Sequence, residues 1–336
     1  MDKLIMSHYP NFVEEMKNLV KNFDQFGAGK HIEKVLNYNA SGGKKNRARM
    51  VVAAFEEIAP DHRLTEENFL LSIYLGWCLE VYHATVLMLD DIMDGSKTRR
   101  GQACWYLHPD VRFRAINDAV ILDAAIYNFL HKHFNSLQCY GRIIETFHKN
   151  AFLLNMGQFM DLSAEQQDAM TFTMDQFRKT VIHKTAHHSF YVPIELAYNL
   201  AEQTDMQTLH AAREILYEMG IFFQIQDDFL DCYGDPKVTG KIGTDIEDGK
   251  CTWLIVTFLN RANSAQKDIL KESYGKEDAE SVAMVKQLYN QVGLPDAYKN
   301  YEEETYKRIK KDIQEAEGIP KKICHRLMDK LYGRKV

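Results

Sequence analysis

Apolar residues along this chain recur at three- and four-residue intervals far more often than they alternate. Ala119, Leu122, Ala125, Ile126 and Phe129 form one such series, and Leu209, Ala212, Ile215, Leu216 and Met219 another. That spacing lines one face of an α-helix. Breaks fall at Ser41-Gly42-Gly43, Ala59-Pro60-Asp61, His108-Pro109-Asp110, Gly234-Asp235-Pro236 and Gly293-Leu294-Pro295, where glycine, proline and aspartate favour turns. No proline lies between Pro109 and Pro193, so long helices can run there unbroken. No Pro/Gly/Ser-rich linker and no repeat of fixed period divides the chain. The pattern predicts one all-α domain over residues 1–336, with about ten helices.

Composition narrows the class. Hydrophobic residues make up 46% of the 336 and charged residues 26%, enough to build a large core. Lys+Arg number 41 against 47 Asp+Glu, a net charge of -6, which argues against a nucleic-acid partner. The six cysteines Cys78, Cys104, Cys139, Cys232, Cys251 and Cys324 are far apart, with no CxxC pair. They suit a reducing compartment better than a disulfide framework or a zinc knuckle. Asp2, Glu14 and Glu15 spoil a transit-peptide reading, and no run of 18 uncharged apolar residues occurs. The expectation is a cytoplasmic protein without stable membrane insertion.

Two carboxylate clusters close long apolar runs: Leu89-Asp90-Asp91-Ile92-Met93-Asp94 and Gln226-Asp227-Asp228-Phe229-Leu230-Asp231. In each, the first and third aspartates are i and i+4 and share a helix face. Carboxylates packed this closely need a cation between them, and hard oxygen ligands with room for water suit Mg²⁺. One such cluster is equally what a solvated acidic helix end looks like. Two, each preceded by a long apolar stretch, are hard to explain that way. Basic segments accompany them: Ser96-Lys97-Thr98-Arg99-Arg100-Gly101, Lys237-Val238-Thr239-Gly240-Lys241 and Gly42-Gly43-Lys44-Lys45-Asn46-Arg47. Glycine turns, helix N-termini and Lys/Arg side chains bind polyanions such as diphosphate. The Gly240-Lys241 pair is no P-loop, because Asp235 and Ile242 stand where that motif needs Gly and Ser/Thr. No GxSxG occurs, and Lys184 between His183 and His187 rules out HExxH.

These motifs, with Lys184-Thr185, Phe222-Phe223-Gln224-Ile225-Gln226-Asp227-Asp228 and Thr239-Gly240-Lys241-Ile242-Gly243-Thr244-Asp245, resemble the farnesyl diphosphate synthase family from about residue 35 onward, in order and spacing. The resemblance implies an all-helical homodimer with a deep central cavity and the two aspartate motifs facing each other across its mouth. It implies three Mg²⁺ ions held by Asp90, Asp94 and Asp227, with Asp91, Asp228 and Asp231 completing the metal motifs. Arg99, Lys184 and Lys241 would grip an allylic prenyl diphosphate. Lys44, Arg47 and Arg100 would hold isopentenyl diphosphate, with the tail around Arg334 and Lys335 closing over it. By the same resemblance Lys184, Thr185 and Asp227 would be catalytic and Gln224 would bind substrate.

Departures from the family pattern gather on the cavity. Thr85 and Val86 stand where the family usually has two phenylalanines that block the floor. Val86 lies one turn below Asp90, so helical spacing turns it to the same face; the role of Thr85 rests on the family alone. His83 replaces a glutamine that contacts isopentenyl diphosphate, although histidine also occurs there in longer-chain synthases. His187 and His188 follow Lys184-Thr185 in place of aromatics. They could steer or deprotonate a carbocation, or simply pack. Ala48 and Ile221 replace a glycine and a glutamate. Ionisation chemistry kept beside an altered cavity leads to a Mg²⁺-dependent terpene synthase of this ancestry acting on a C15 or C20 allylic diphosphate. The alternative is a chain-elongating prenyltransferase making geranylgeranyl or farnesyl diphosphate, which the retained Lys44, Arg47 and Arg100 support.

Overall fold

The computed structural model describes residues 1–203, 206–240, 242–317 and 319–334. Helices dominate throughout, as the periodicity predicts. The described residues form seventeen α-helical segments, more than the expected ten because several stretches break in two, such as Met206–Ala211 and Arg213–Tyr233. The predicted faces are inside: Ala119, Leu122, Ala125, Ile126 and Phe129 are buried, as are Leu209, Ala212, Leu216 and Met219. Contacts divide the chain into two compact units, residues 1–148 with 192–206 and residues 149–191 with 207–336.

The first unit is organised by helix Glu66–Met93. Thr65 caps it, its hydroxyl accepting from Asn68 N at 3.1 Å. Ile73, Leu75, Trp77, Cys78, Leu79 and Val81 are each fully buried, so the helix is apolar on nearly every side, the signature of a central core helix. It packs against helices Asn46–Ile58, Arg114–Phe134 and Val192–Leu200. By length and composition it could cross a membrane, yet 78% of its most apolar window is buried inside the protein. The helix opens toward its C-terminal end. His83, Val86, Leu87, Asp90 and Asp94 are half-buried there, while Thr85, Met88 and Asp91 face inward. A two-stranded antiparallel hairpin follows, pairing Thr98 with Ala103 and Arg99 with Gln102. Its turn residues Arg100 and Gly101 have φ of 54° and 75°, the left-handed pair that tight hairpins require.

The second unit is organised by helix Arg213–Tyr233, packed against the π-helix Ile182–Tyr191 and helices Leu294–Glu315, Trp253–Arg261 and Met174–Val181. Phe177, Val181, Ile221, Ile225, Leu254, Phe258 and Leu288 share one hydrophobic cluster. Phe229 stacks on Tyr298 at 3.8 Å between ring centroids. The π-helix is pressed close to Gly157, where an added Cβ would lie 2.2 Å from Lys184 N. Only glycine permits that approach. Of the described opening residues of helix Arg213–Tyr233 and its motif, Phe223, Gln224, Asp227 and Asp231 are half-buried, whereas Asp228 is buried.

Candidate active site

In the first unit the Gly42-Gly43 turn and the hairpin bring three cations, Lys45, Arg47 and Arg100, to one buried carboxylate, Glu80. Helix Asn46–Ile58 begins at Lys45, which has no side-chain acceptor with which to cap it. Glu80, 4% exposed on the neighbouring helix, does so instead: its Oε1 accepts from Arg47 N at 3.1 Å and Ala48 N at 3.2 Å. A carboxylate is well placed at a helix N-terminus. Lys45 turns inward and donates to the carbonyls of Ala40 and Gly42, so it holds the turn closed. Burial brings its ammonium down to about 8 against the pull of Glu80, and Arg47 down to about 10 for the same reasons. Arg100 donates to Asn39 O at 2.9 Å and lies across Gly43. A Cβ there would meet its guanidinium at 3.0 Å, and the φ of 87° also demands glycine. Lys44 is exposed beside them. One carboxylate against several cations leaves net positive charge, which is what a diphosphate site needs.

The hairpin aims Arg99 at the first aspartate motif. Its Nε reaches Asp91 Oδ1 at 2.9 Å and its Nη2 reaches Asp90 Oδ2 at 3.3 Å. Burial works against the Arg99 charge, but Asp91 and Asp90 outweigh it and raise its pKa. Burial also raises Asp91, with Arg99 opposing. Asp91 is therefore engaged within the protein, while Asp90 and Asp94 occupy the half-open face with His83 and Val86. Thr85 donates to Tyr82 O at 2.7 Å and is 3% exposed.

In the second unit Lys184 on the π-helix donates to Asp161 Oδ2 at 2.7 Å. Lys250 reaches the same oxygen at 3.2 Å and Glu165 at 2.5 Å. Burial opposes the Asp161 charge, and the two lysines overcome it, holding the carboxyl below its usual range. The sequence reading overlooked Lys250, whose link to Lys184 is made only by folding. Thr185 Oγ1 donates to Gln224 Oε1 at 2.9 Å, and Gln224 Nε2 donates to Asp228 Oδ1 at 3.0 Å. Asp228 Oδ2 accepts from Trp253 N at 2.9 Å. Burial pushes Asp228 up to about 7, the two hydrogen bonds pulling it down and Asp227 and Asp231 adding to the rise. Asp231 Oδ1 accepts from Asp245 N at 3.1 Å. Arg334 folds back onto Asp227 at 3.2 Å and over the Phe223 ring at 4.4 Å. Lys241 and Lys335 lie outside the described residues.

His187 and His188 sit in the core of the second unit, 2% and 1% exposed. His187 Nδ1 lies 2.9 Å from Tyr217 Oη and its ring stacks on Tyr191. His188 Nδ1 lies 3.1 Å from Asn150 Nδ2. Burial, with Lys149, His183 and Arg213 adding to it, takes His187 down to about 3, so its imidazole is neutral near pH 7.

The donor set fits Mg²⁺. No group of three or more His, Cys, Asp or Glu side chains is gathered into a cage among the described residues. Mg²⁺ binds instead through one or two carboxylates plus water and substrate phosphates, and the half-buried outer aspartates offer that. Asp90 and Asp227 each already carry an arginine, which shows how strongly these positions attract a cation.

The family profile for Polyprenyl synthetase matches residues 29–292. The chain is 42% identical to farnesyl pyrophosphate synthase of Rattus norvegicus, covering 97% of this chain and 96% of the relative. It is 41% identical to the Schizosaccharomyces pombe protein of that name, covering 98% and 96%, and 38% identical to that of Nezara viridula, covering 98% and 82%. The solved T. brucei farnesyl diphosphate synthase complexed with risedronate superposes with a TM-score of 0.92 at 29% identity, covering 99% of both chains. These relatives are named for making a prenyl diphosphate. They favour the elongating alternative and give no support to the terpene synthase that the sequence reading placed first. With a family match over most of its length and the helical architecture its motifs imply, the chain belongs to the polyprenyl synthetase family, as an enzyme of the prenyltransferase type.

Proposed function

We propose that this protein is a chain-elongating trans-prenyltransferase that joins isopentenyl diphosphate to an allylic prenyl diphosphate. The observation that carries the reading is the cationic set around Glu80, with Arg47 and Arg100 both within its field, in addition to Arg99 on the first aspartate motif. A terpene synthase handles one diphosphate, whereas elongation must hold two. Lys44, Arg47 and Arg100 hold the isopentenyl group. Arg99, Lys184, Lys250 and Lys241 hold the allylic one.

Mg²⁺, expected as three ions on Asp90, Asp94 and Asp227, would when bound supply neutralisation of the allylic diphosphate. Arg99, fixed by Asp91, and Lys184 and Lys250, fixed by Asp161, stabilise the charge that grows on that diphosphate as its C–O bond breaks. Thr185 and Gln224 present oxygen dipoles to the resulting cation. The isopentenyl double bond then attacks the allylic carbon, and loss of a proton from the new cation to the departed diphosphate completes the longer chain. His83 and Val86 on the half-open helix face border the growing tail. With Thr85 and Val86 in place of large rings, the product reaches farnesyl or geranylgeranyl length.

The reading includes one helical domain over 1–336, a cytoplasmic setting and a homodimer. The Ala119–Phe129 face, which by its pattern suits an interface and core equally, is buried within the first unit. Candidate dimer surfaces are instead the stripe Phe113, Ile116 and Val120, exposed at 72%, 45% and 56%, and the stripe Phe152, Met156 and Phe159. Sedimentation of the purified protein checks the dimer.

The deciding experiment is product analysis with Mg²⁺ and geranyl, farnesyl or geranylgeranyl diphosphate, each with and without isopentenyl diphosphate. Longer diphosphates formed strictly in the presence of isopentenyl diphosphate are expected. A hydrocarbon or alcohol formed without it would replace this reading with a terpene synthase.

A further inference from the structure

We infer that Asp228 is a positioning residue that sets the direction of the hydrogen bond between Thr185 and Gln224, and that it does so instead of ligating a metal. The inference deepens the prenyltransferase reading and rests on it for its catalytic meaning.

A glutamine amide has a donor end and an acceptor end, and neither neighbour of Gln224 need choose between them alone. Thr185 can donate or accept. The choice is made one bond further out. Trp253 contributes a backbone N–H, which can only donate, and it lies 2.9 Å from Asp228 Oδ2. The hydrogen bonds from Gln224 and Trp253 favour the carboxylate form of Asp228 over the protonated one, and in that form it can only accept, so Oδ1, 3.0 Å from Gln224 Nε2, faces an NH₂ group. Gln224 must then point Oε1 at Thr185, 2.9 Å away. The single hydroxyl proton of Thr185 is committed to Gln224. What the half-buried Thr185 presents on its remaining side is lone-pair density, the sign that stabilises a neighbouring carbocation. Reversal of the chain would turn the hydroxyl proton outward and present the wrong sign. Preorganised dipoles act without reorganising during the reaction, so their direction matters as much as their distance.

The placement of Asp228 supports this role over a ligand's. It is 4% exposed with both oxygens engaged by neutral donors, while Asp227 and Asp231 on either side are half-open.

The test is a polarity swap. In Asp228→Asn the amide oxygen must stay with Trp253 N–H, which turns the new NH₂ onto Gln224 and reverses the relay. The expected result is a fall of about 10²-fold in kcat, with the Mg²⁺ concentration for half-maximal rate unchanged. Adding Gln224→Glu restores the direction, because a carboxylate accepts from both Asn and Thr185. The double variant is expected to recover about tenfold or more over Asp228→Asn. A raised Mg²⁺ requirement in the single variant, or a double variant no faster than the single, overturns the inference. Neutron diffraction from deuterated wild-type protein reads the same point without turnover. A deuteron on Thr185 Oγ1 aimed at Gln224 supports the inference, and one aimed away overturns it. A wild-type enzyme that consumes no allylic diphosphate would sink the prenyltransferase reading, while the neutron map still decides the hydrogen-bond direction.

Discussion

The two aspartate motifs bury the same member and neutralise it differently. Asp91 and Asp228, each the second carboxylate of its motif, are both 4% exposed, and the aspartates flanking them are half-open. Asp91 meets a full positive charge, Arg99. Asp228 meets an amide and a backbone N–H. A charged partner repays the desolvation of a carboxylate through Coulomb attraction; neutral donors supply direction but leave the negative charge in place. The first motif is thus organised to anchor an arginine. The second is organised to orient a dipole chain.

The largest expected effect separates outer from inner aspartates. Asp90→Ala or Asp227→Ala should keep the circular dichroism spectrum of the wild type and lose about 10³-fold or more in turnover, because charge stabilisation at the leaving diphosphate goes with them. Near-normal turnover in saturating Mg²⁺ for either variant would break the division of labour.

Stability should rank the inner pair. Asp91→Ala leaves the half-buried Arg99 charge with the more distant Asp90 alone and is expected to cost about 3 kcal/mol. Asp228→Ala leaves only neutral donors unpaired and should cost about 1–2 kcal/mol. Thermal or urea denaturation at pH 7 measures both, and equal losses would mean that the partner's charge is irrelevant.

The outer face of the motifs and the direction of their helices were legible from sequence, since i,i+4 spacing decides which aspartates share a side. Which aspartate turns inward was legible too, though the reading passed over it. Asp91 continues the row Ala84, Met88, and Asp228 continues the row Ile221, Ile225, all four of them buried. The inward turn of Lys45 was not legible, because it depends on a left-handed backbone at that residue, φ 50°. Nor was the pairing of Lys184 with Lys250 through Asp161, which joins three segments distant in the chain. His187 and His188 read as candidate reactive groups because their burial is set by tertiary packing, not by local pattern.

Buried bases extend the comparison to pH. Lys45 in the first unit falls to about 8 and His187 in the second to about 3. Both lose protons on folding, so stability rises with pH across each window, from about 3 to 6.5 for His187 and from about 8 to 10.5 for Lys45. His187→Phe should flatten the acid limb by at most about 5 kcal/mol and Lys45→Met the alkaline one by at most about 3 kcal/mol. Urea titrations across pH check this; a variant that leaves its limb unchanged would show that its base does not govern it.

The smallest effect belongs to Arg334. Its pair with Asp227 is partly exposed, with side chains at 14% and 31%, so Arg334→Ala should change stability by less than about 1 kcal/mol. It should also lower the Mg²⁺ concentration needed to protect the protein thermally, since a competing cation has been removed. An unchanged Mg²⁺ midpoint would separate this arginine from the metal position.

The π-helix Ile182–Tyr191 has a consequence for the register of the chain. A π-helix arises when one residue too many is accommodated without breaking the helix. Each residue in an ordinary helix turns the chain by about 100°. The wider π turn absorbs the rotation that an added residue would impose on an α-helix, so Lys184 and Thr185 on one side keep their aim relative to Phe190 and Tyr191 on the other. An extra residue embedded in this helix therefore acts as a molecular shim, and an alignment gap that falls in this stretch marks a change of length without a change of aim.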